Sequence, residues 1–259
     1  MKSQLPLLFL VLVASEGVFG QASLDDFKCY FVPQPATIFP VQQIAITLED
    51  QFDTARNAVE SVLDVRLTRF CTPVQKTEHR RTTGIIDDTH HLSLYHITPQ
   101  PVIPRDVIVR NQFGHQKLTL GDAQALAVPS GRSASGQEPP SPPPNLDHFK
   151  CYAASGKRVG TILSLQDDLQ ATKVWVLDPI SFCNPVMKTF DGTTTPIQNP
   201  QAHLTCYTIT PKDFTAAVAI RNQFGTLFGL TLDKADILCV ASLKLQWSDL
   251  SVILDGRLD

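Results

Sequence analysis

Leu146-Asp147-His148-Phe149-Lys150-Cys151-Tyr152 restates Leu24-Asp25-Asp26-Phe27-Lys28-Cys29-Tyr30 almost residue for residue. Phe27, Cys29 and Phe31 fall to one side of the chain and Lys28 and Tyr30 to the other, which is the two-residue period of a β-strand. The repetition continues outward. Cys183-Asn184-Pro185-Val186 answers Cys71-Thr72-Pro73-Val74, and His203-Leu204-Thr205-Cys206-Tyr207 answers His91-Leu92-Ser93-Leu94-Tyr95. Arg221-Asn222-Gln223-Phe224-Gly225 is identical to Arg110-Asn111-Gln112-Phe113-Gly114. The chain is a tandem duplication.

Each half is itself doubled. The unit is a Cys-Tyr strand, an Asp/Asn-Gln-Phe strand end and a Cys-x-Pro. The first quarter holds Cys29-Tyr30, Asp50-Gln51-Phe52 and Cys71-Thr72-Pro73; the second holds Leu94-Tyr95, Asn111-Gln112-Phe113 and Ala127-Val128-Pro129. The third holds Cys151-Tyr152, a weaker Asp167-Asp168-Leu169 and Cys183-Asn184-Pro185; the fourth holds Cys206-Tyr207, Asn222-Gln223-Phe224 and Cys239-Val240-Ala241. The second quarter lacks both cysteines together. A half-lost pair would leave a reactive thiol, so joint loss is what a bonded pair predicts. Of the fifteen connectivities open to six cysteines, this selects Cys29–Cys71, Cys151–Cys183 and Cys206–Cys239. No short Cys-x-x-Cys spacing favours structural zinc instead.

The 259 residues are 43% hydrophobic with a formal net charge of −3, a globular composition. No basic run offers a nucleic-acid footprint. Met1-Lys2 followed by an apolar run from Leu5 to Ala14 has the make-up of a secretory leader, too short for a bilayer span of roughly 20 residues. The expected organisation is a signal peptide over 1–22, a β domain over 23–130, a Pro/Ser/Gly-rich linker over 131–145, a second β domain over 146–245 and a tail over 246–259. Once the leader is removed, no transmembrane segment is expected. In an oxidising compartment the cysteines read as disulfides. Short strands, frequent turns and no long helical period predict an all-β chain. Two tandem antiparallel β-sandwich-like domains are expected, with small β-barrels as the alternative. One short helical insert is expected over Thr54–Val62.

The combined order Phe-Lys-Cys-Tyr, Cys-x-Pro-Val, His-Leu-x-Cys-Tyr, Asn-Gln-Phe-Gly, Leu-Cys-Val resembles a group of uncharacterised tandem-repeat domains of exported bacterial proteins. The resemblance covers both halves. It implies a β-rich fold and secretion, and it brings no catalytic residues. The chain departs from the pattern at Leu94, Ala127, Leu169 and Ala241.

Candidate chemistry is sparse. His91 and His203 hold equivalent places before a strand, and an acid/base role would need a carboxylate at hydrogen-bond distance. His90-His91 with Asp87-Asp88 is a weak metal-like grouping. Gly131-Arg132-Ser133-Ala134-Ser135-Gly136 nearly spells a nucleophile elbow, but it sits in the linker and misses the second glycine. Asn111, Gln112, Phe113 and Gly114, with Asn222, Gln223, Phe224 and Gly225, are the candidate binding loops. The bland alternative is that Phe packs inward and Asn caps a turn. Trp175 and Trp247 could serve as sugar platforms. No cofactor and no metal are implied. The expectation is a non-enzymatic exported module that meets a cell-surface polymer or protein. A carbohydrate-binding module would instead expose its Trp or Tyr side chains in a row, and a hydrolase would pair His91 or His203 with a carboxylate in a pocket.

Overall fold

The computed structural model describes residues 24–33, 46–54, 60–62, 65–100 and 102–250. The expected leader and most of the expected tail lie outside the described residues. The first quarter forms β1 (Phe27–Phe31), β2 (Ile46–Glu49), the single turn α1 (Gln51–Thr54), β3 (Glu60–Val62), β4 (Val65–Pro73), β5 (Gln75–Glu78) and β6 (Arg81–Thr83). The second forms β7 (His91–Gln100), β8 (Arg105–Asn111) and β9 (Gly114–Ala134). The third forms β10 (Phe149–Gly156), β11 (Thr161–Gln166), β12 (Ala171–Pro185), β13 (Met187–Phe190) and β14 (Thr193–Thr195). The fourth forms β15 (His203–Ile209), β16 (Thr215–Asn222), β17 (Gly225–Asp233) and β18 (Ala235–Asp249). The all-β expectation holds. Of the helical insert expected over Thr54–Val62, Thr54 ends α1 and Glu60–Val62 form β3, while 55–59 lie outside the described residues. Asp50 caps the single turn of α1 through the Phe52 and Asp53 amides.

Each quarter contributes two strands to one closed antiparallel ring. Its order is β1–β4–β7–β9–β10–β12–β15–β18, and β18 returns to β1. The two halves therefore do not close as separate sandwiches. They are joined at β1–β18 and β9–β10. A half alone would leave β1 and β9 as edge strands with unpaired backbone groups, and closure removes those edges.

The two faces of the ring have different contents. Phe27, Cys29, Cys71, Ala127, Phe149, Cys151, Cys183, Leu204, Cys206 and Cys239 pack against one another in a single small cluster, which fills the interior. An eight-stranded ring has room for side chains and little else. The cysteines face each other in register, Cys29↔Cys71, Cys151↔Cys183 and Cys206↔Cys239, and all three pairs are bonded. In the second quarter Leu94 stands opposite Ala127, an apolar pair in the place of a bridge. Cys206→Leu with Cys239→Ala would copy that solution. We expect it to keep the ring and lose about 3–4 kcal/mol in urea unfolding, the loop-closure term for such a separation.

The outer face carries Tyr30, Tyr95, Tyr152 and Tyr207, all buried in one core with residues of the four arms, which begin with β2, β8, β11 and β16, one in each quarter. Past its Cys-x-Pro or equivalent, each quarter extends into a short stretch that pairs with the arm of the quarter diagonal to it. β5 pairs with β11 and β13 with β2. The end of β9 pairs with β16, and the end of β18 with β8. The register repeats: Lys76↔Leu165, Arg132↔Ile220, Lys188↔Leu48 and Lys244↔Val109. The expected 131–145 linker is corrected accordingly. Its first four residues complete β9, and Pro140 closes over Gly131. A Cβ at Gly131 would come within 1.9 Å of the Pro140 carbonyl oxygen. Gly131→Ala is expected to cost about 1–3 kcal/mol, as overpacking does, and to speed proteolysis within 135–145. The expected boundary between domain and tail at 245/246 is crossed by β18, which runs on to Asp249 opposite Arg105.

Candidate functional site

The polar residues of the arms meet the ring tyrosines at four equivalent places. In each arm an Asp or Asn follows two residues after the apolar position just named, and its side-chain oxygen caps its own turn. The amides of Phe52, Phe113, Leu169 and Phe224 donate to Asp50, Asn111, Asp167 and Asn222 at 2.8–3.0 Å. The other end of each side chain reaches the tyrosine of the diagonal quarter. Tyr152 donates to Asp50 and Tyr30 to Asp167, both at 2.9 Å. Asn111 donates to the Tyr207 oxygen and Asn222 to the Tyr95 oxygen, also at 2.9 Å.

The four clasps come in two chemical kinds. In the first and third quarters the residue two before the tyrosine is lysine, and it is fully buried. Lys28 Nζ lies 3.1 Å from Asp167, and Lys150 Nζ 2.9 Å from Asp53. Thr72 and Asn184 add hydrogen bonds of 2.6 Å and 2.8 Å to Asp167 and Asp50. Burial lowers the Lys28 ammonium below its ordinary value while Asp167 opposes the shift, and burial with the neighbouring Asp50 raises Asp53. In the second and fourth quarters the lysine is replaced by Ser93 or Thr205 and the aspartate by asparagine. Ser130 and Ser242 complete those neutral networks. Burial raises the Tyr207 hydroxyl to about 12.

The candidate binding loops therefore turn their asparagines inward. Phe224 is buried against Tyr95, and Phe113 packs edge-on to Tyr207. Gln223 meets His148 and Lys188, while Gly114 and Gly225 take positive φ at the hairpin tips. Sequence reasoning marked these residues but not their partners.

Lys188 shows where the two halves diverge. Its counterpart Lys76 pairs with Asp26, whose other oxygen accepts the Ala241 amide. In the third quarter His148 stands for Asp26, and Pro129 of the second quarter stands for Ala241 of the fourth. Proline has no amide proton to offer a carboxylate. Lys188 is left with Gln223, and burial lowers it to about 8. Lys188→Met is expected to raise stability by about 1–2 kcal/mol in denaturant unfolding, since a well-packed apolar group outdoes a buried charge.

His91 and His203 sit against Phe70 and Phe182, and burial lowers both to about 3. An imidazole so perturbed is a weak base at neutral pH. His91 does line a cleft of about 710 Å³ with Asp87, Asp88, Arg132, Asp168 and the 140–145 segment. Arg132 and Asp168 pair with each other there. His90 bonds Asp25 at 2.9 Å and lies 3.4 Å from Asp87, which together hold it above its ordinary value against burial. Among the described residues no three His, Cys, Asp or Glu gather as a metal site. No described helix is long and apolar enough to cross a membrane. Trp247 packs on Phe52, whereas Trp175 stands half exposed beside Ile162.

These features define a class, a closed ring of four β repeats stapled by disulfides and interlocked by diagonal arms. A family model described as a repeat of unknown function, DUF7450, matches residues 91–241. That is more than half of the chain, and the chain belongs to this family. The match runs from β7 into β18 and so passes through the connection between the halves. No curated protein and no solved structure matches the chain.

Proposed function

We propose that the protein is an exported, non-enzymatic structural or binding module of the cell envelope or extracellular space. The diagonal clasps carry this reading. The groups best suited to chemistry, Lys28, Lys150, Asp50, Asp167 and the four tyrosine hydroxyls, are spent on one another, and the result is a rigid ring. Three buried disulfides suit an oxidising compartment. The partner is a polymer or protein of those surroundings, not a nucleic acid.

The test compares full-length chain carrying its leader with chain retained in a reducing cytosol. The exported form should lose 1–20 or 1–22, carry all three within-quarter bridges in unreduced peptide maps and resist protease. An uncleaved leader, or a bridge-free form that is equally resistant, would contradict the reading. Hydrolytic turnover abolished by His91→Ala would contradict its non-enzymatic part.

A further inference from the structure

The four quarters act as controls for one another, and one exposed position breaks their agreement. Three residues before the apolar arm position, a cross-strand pair faces solvent. In the second quarter it is Asp106↔Thr119, tied by a 2.8 Å hydrogen bond, and in the fourth it is Ala217↔Thr231. In the third it is Ile162↔Trp175, each 48% exposed. The matching residues of the first quarter lie outside the described residues. The fold is thus built twice with small or polar groups at a place where the third quarter presents an indole and a sec-butyl group to water. Packing gives no reason for that pair, and large apolar groups held exposed on a sheet mark binding surfaces.

The same face continues along β11, β12 and β5 as a shallow groove of about 340 Å³. Lys173 and Ser164 lie opposite each other next to the Trp175–Ile162 pair, Thr77 faces Ser164 from β5, and Gln75 faces Gln166 beyond. Hydroxyls, amides and one ammonium therefore line a strip that begins at an indole. An aromatic face stacks on the C–H face of a pyranose, and groups of this kind hydrogen-bond its hydroxyls.

We propose that the exposed face of β5, β11 and β12 binds a glycan chain, with a sugar ring stacked on Trp175 and its neighbours running over the groove toward Gln75. This deepens the exported-module reading and rests on it. The row of exposed aromatic side chains expected of a carbohydrate-binding module is not formed, because Trp247 and the four tyrosines are packed or buried; the site has Trp175 as its single aromatic platform.

Affinity electrophoresis of the full mature chain through gels containing hydroxyethylcellulose, xylan or polygalacturonate tests the site. At least one polymer should retard the chain. Trp175→Thr should weaken that retention at least tenfold with an unchanged melting midpoint, because Thr119 and Thr231 already occupy the equivalent position. Retention by the neutral polymers assigns a hexose or pentose chain. Retention by polygalacturonate alone, lost in Lys173→Met, assigns a uronate chain read by Lys173. No retardation by any of the three, or retention indifferent to Trp175→Thr, overturns the proposal. Neither result alters the leader cleavage and disulfide maps, so failure here is separable from failure of the exported-module reading.

Discussion

Asp167→Asn should destabilise the protein by about 3–5 kcal/mol, and adding Lys28→Ser should restore most of that loss. The side chains of Lys28 and Asp167 are both fully buried, and the carboxylate also accepts from Tyr30 and Thr72. Removing its charge strands an ammonium in the protein interior, the costliest kind of polar deletion. The rescue is read from the chain itself. The second and fourth quarters run the same clasp without charge, using Ser93 or Thr205 two residues before tyrosine and an asparagine from the diagonal arm. Lys28→Ser with Asp167→Asn rebuilds that neutral version. Urea unfolding of the single and double variants closes the cycle. The coupling should be about 2–4 kcal/mol in favour of the matched pair. Additive losses would mean that Lys28 and Asp167 do not act as a unit.

Acidification from pH 7 to pH 5 should weaken the fold by about 2 kcal/mol per buried histidine for His91, His148 and His203. Each is lowered by burial to about 3 in the folded state, and Arg132, Lys188 and Lys244 respectively reinforce the shift. The unfolded chain takes up these protons near pH 6.5. Stability from these groups is therefore complete above that value and declines as pH falls toward 3. His90 has the opposite sign. Its raised value favours the folded state below pH 6.5 and offsets part of the loss. Burial also lowers Lys188 to about 8 and Lys244 to about 7, so the unfolded state binds more protons up to the ordinary lysine range. The lowered histidines and lysines together outweigh His90 and place the stability maximum on the alkaline side of neutral. Urea midpoints at pH 5, 7 and 9 should rise in that order, and equal midpoints would refute the protonation account.

Much of the fold was legible because it repeats. The pairing of the cysteines followed from the joint absence at Leu94 and Ala127, and the structure brings all three pairs into register. The turn-capping role of Asn111 and Asn222 followed from turn chemistry. Closure into one ring did not follow. The contacts that decide it, Phe27 with Cys239 and Phe149 with Ala127, leave no local pattern, since a strand at an edge and a strand in a closed sheet alternate alike. The diagonal clasp did leave a signal. Lysine before Cys-Tyr accompanies aspartate in the first and third arms, and Ser or Thr accompanies asparagine in the second and fourth. The basic residues Lys76, Arg132, Lys188 and Lys244 also recur at one position of the repeat. Arg132 was hidden there by the proline-rich stretch that follows it, whose composition resembles a free spacer although its start is sheet.

Cutting the chain between its halves tests the interlocked ring most directly. A protease site placed after Gly136, where the connection is exposed, can be cleaved without touching a ring strand. The two halves should remain together by light scattering, with one shared melting transition, because β1–β18, β9–β10 and the four clasps hold them without the covalent link. Separation into two folded halves, each melting by itself, would contradict the account.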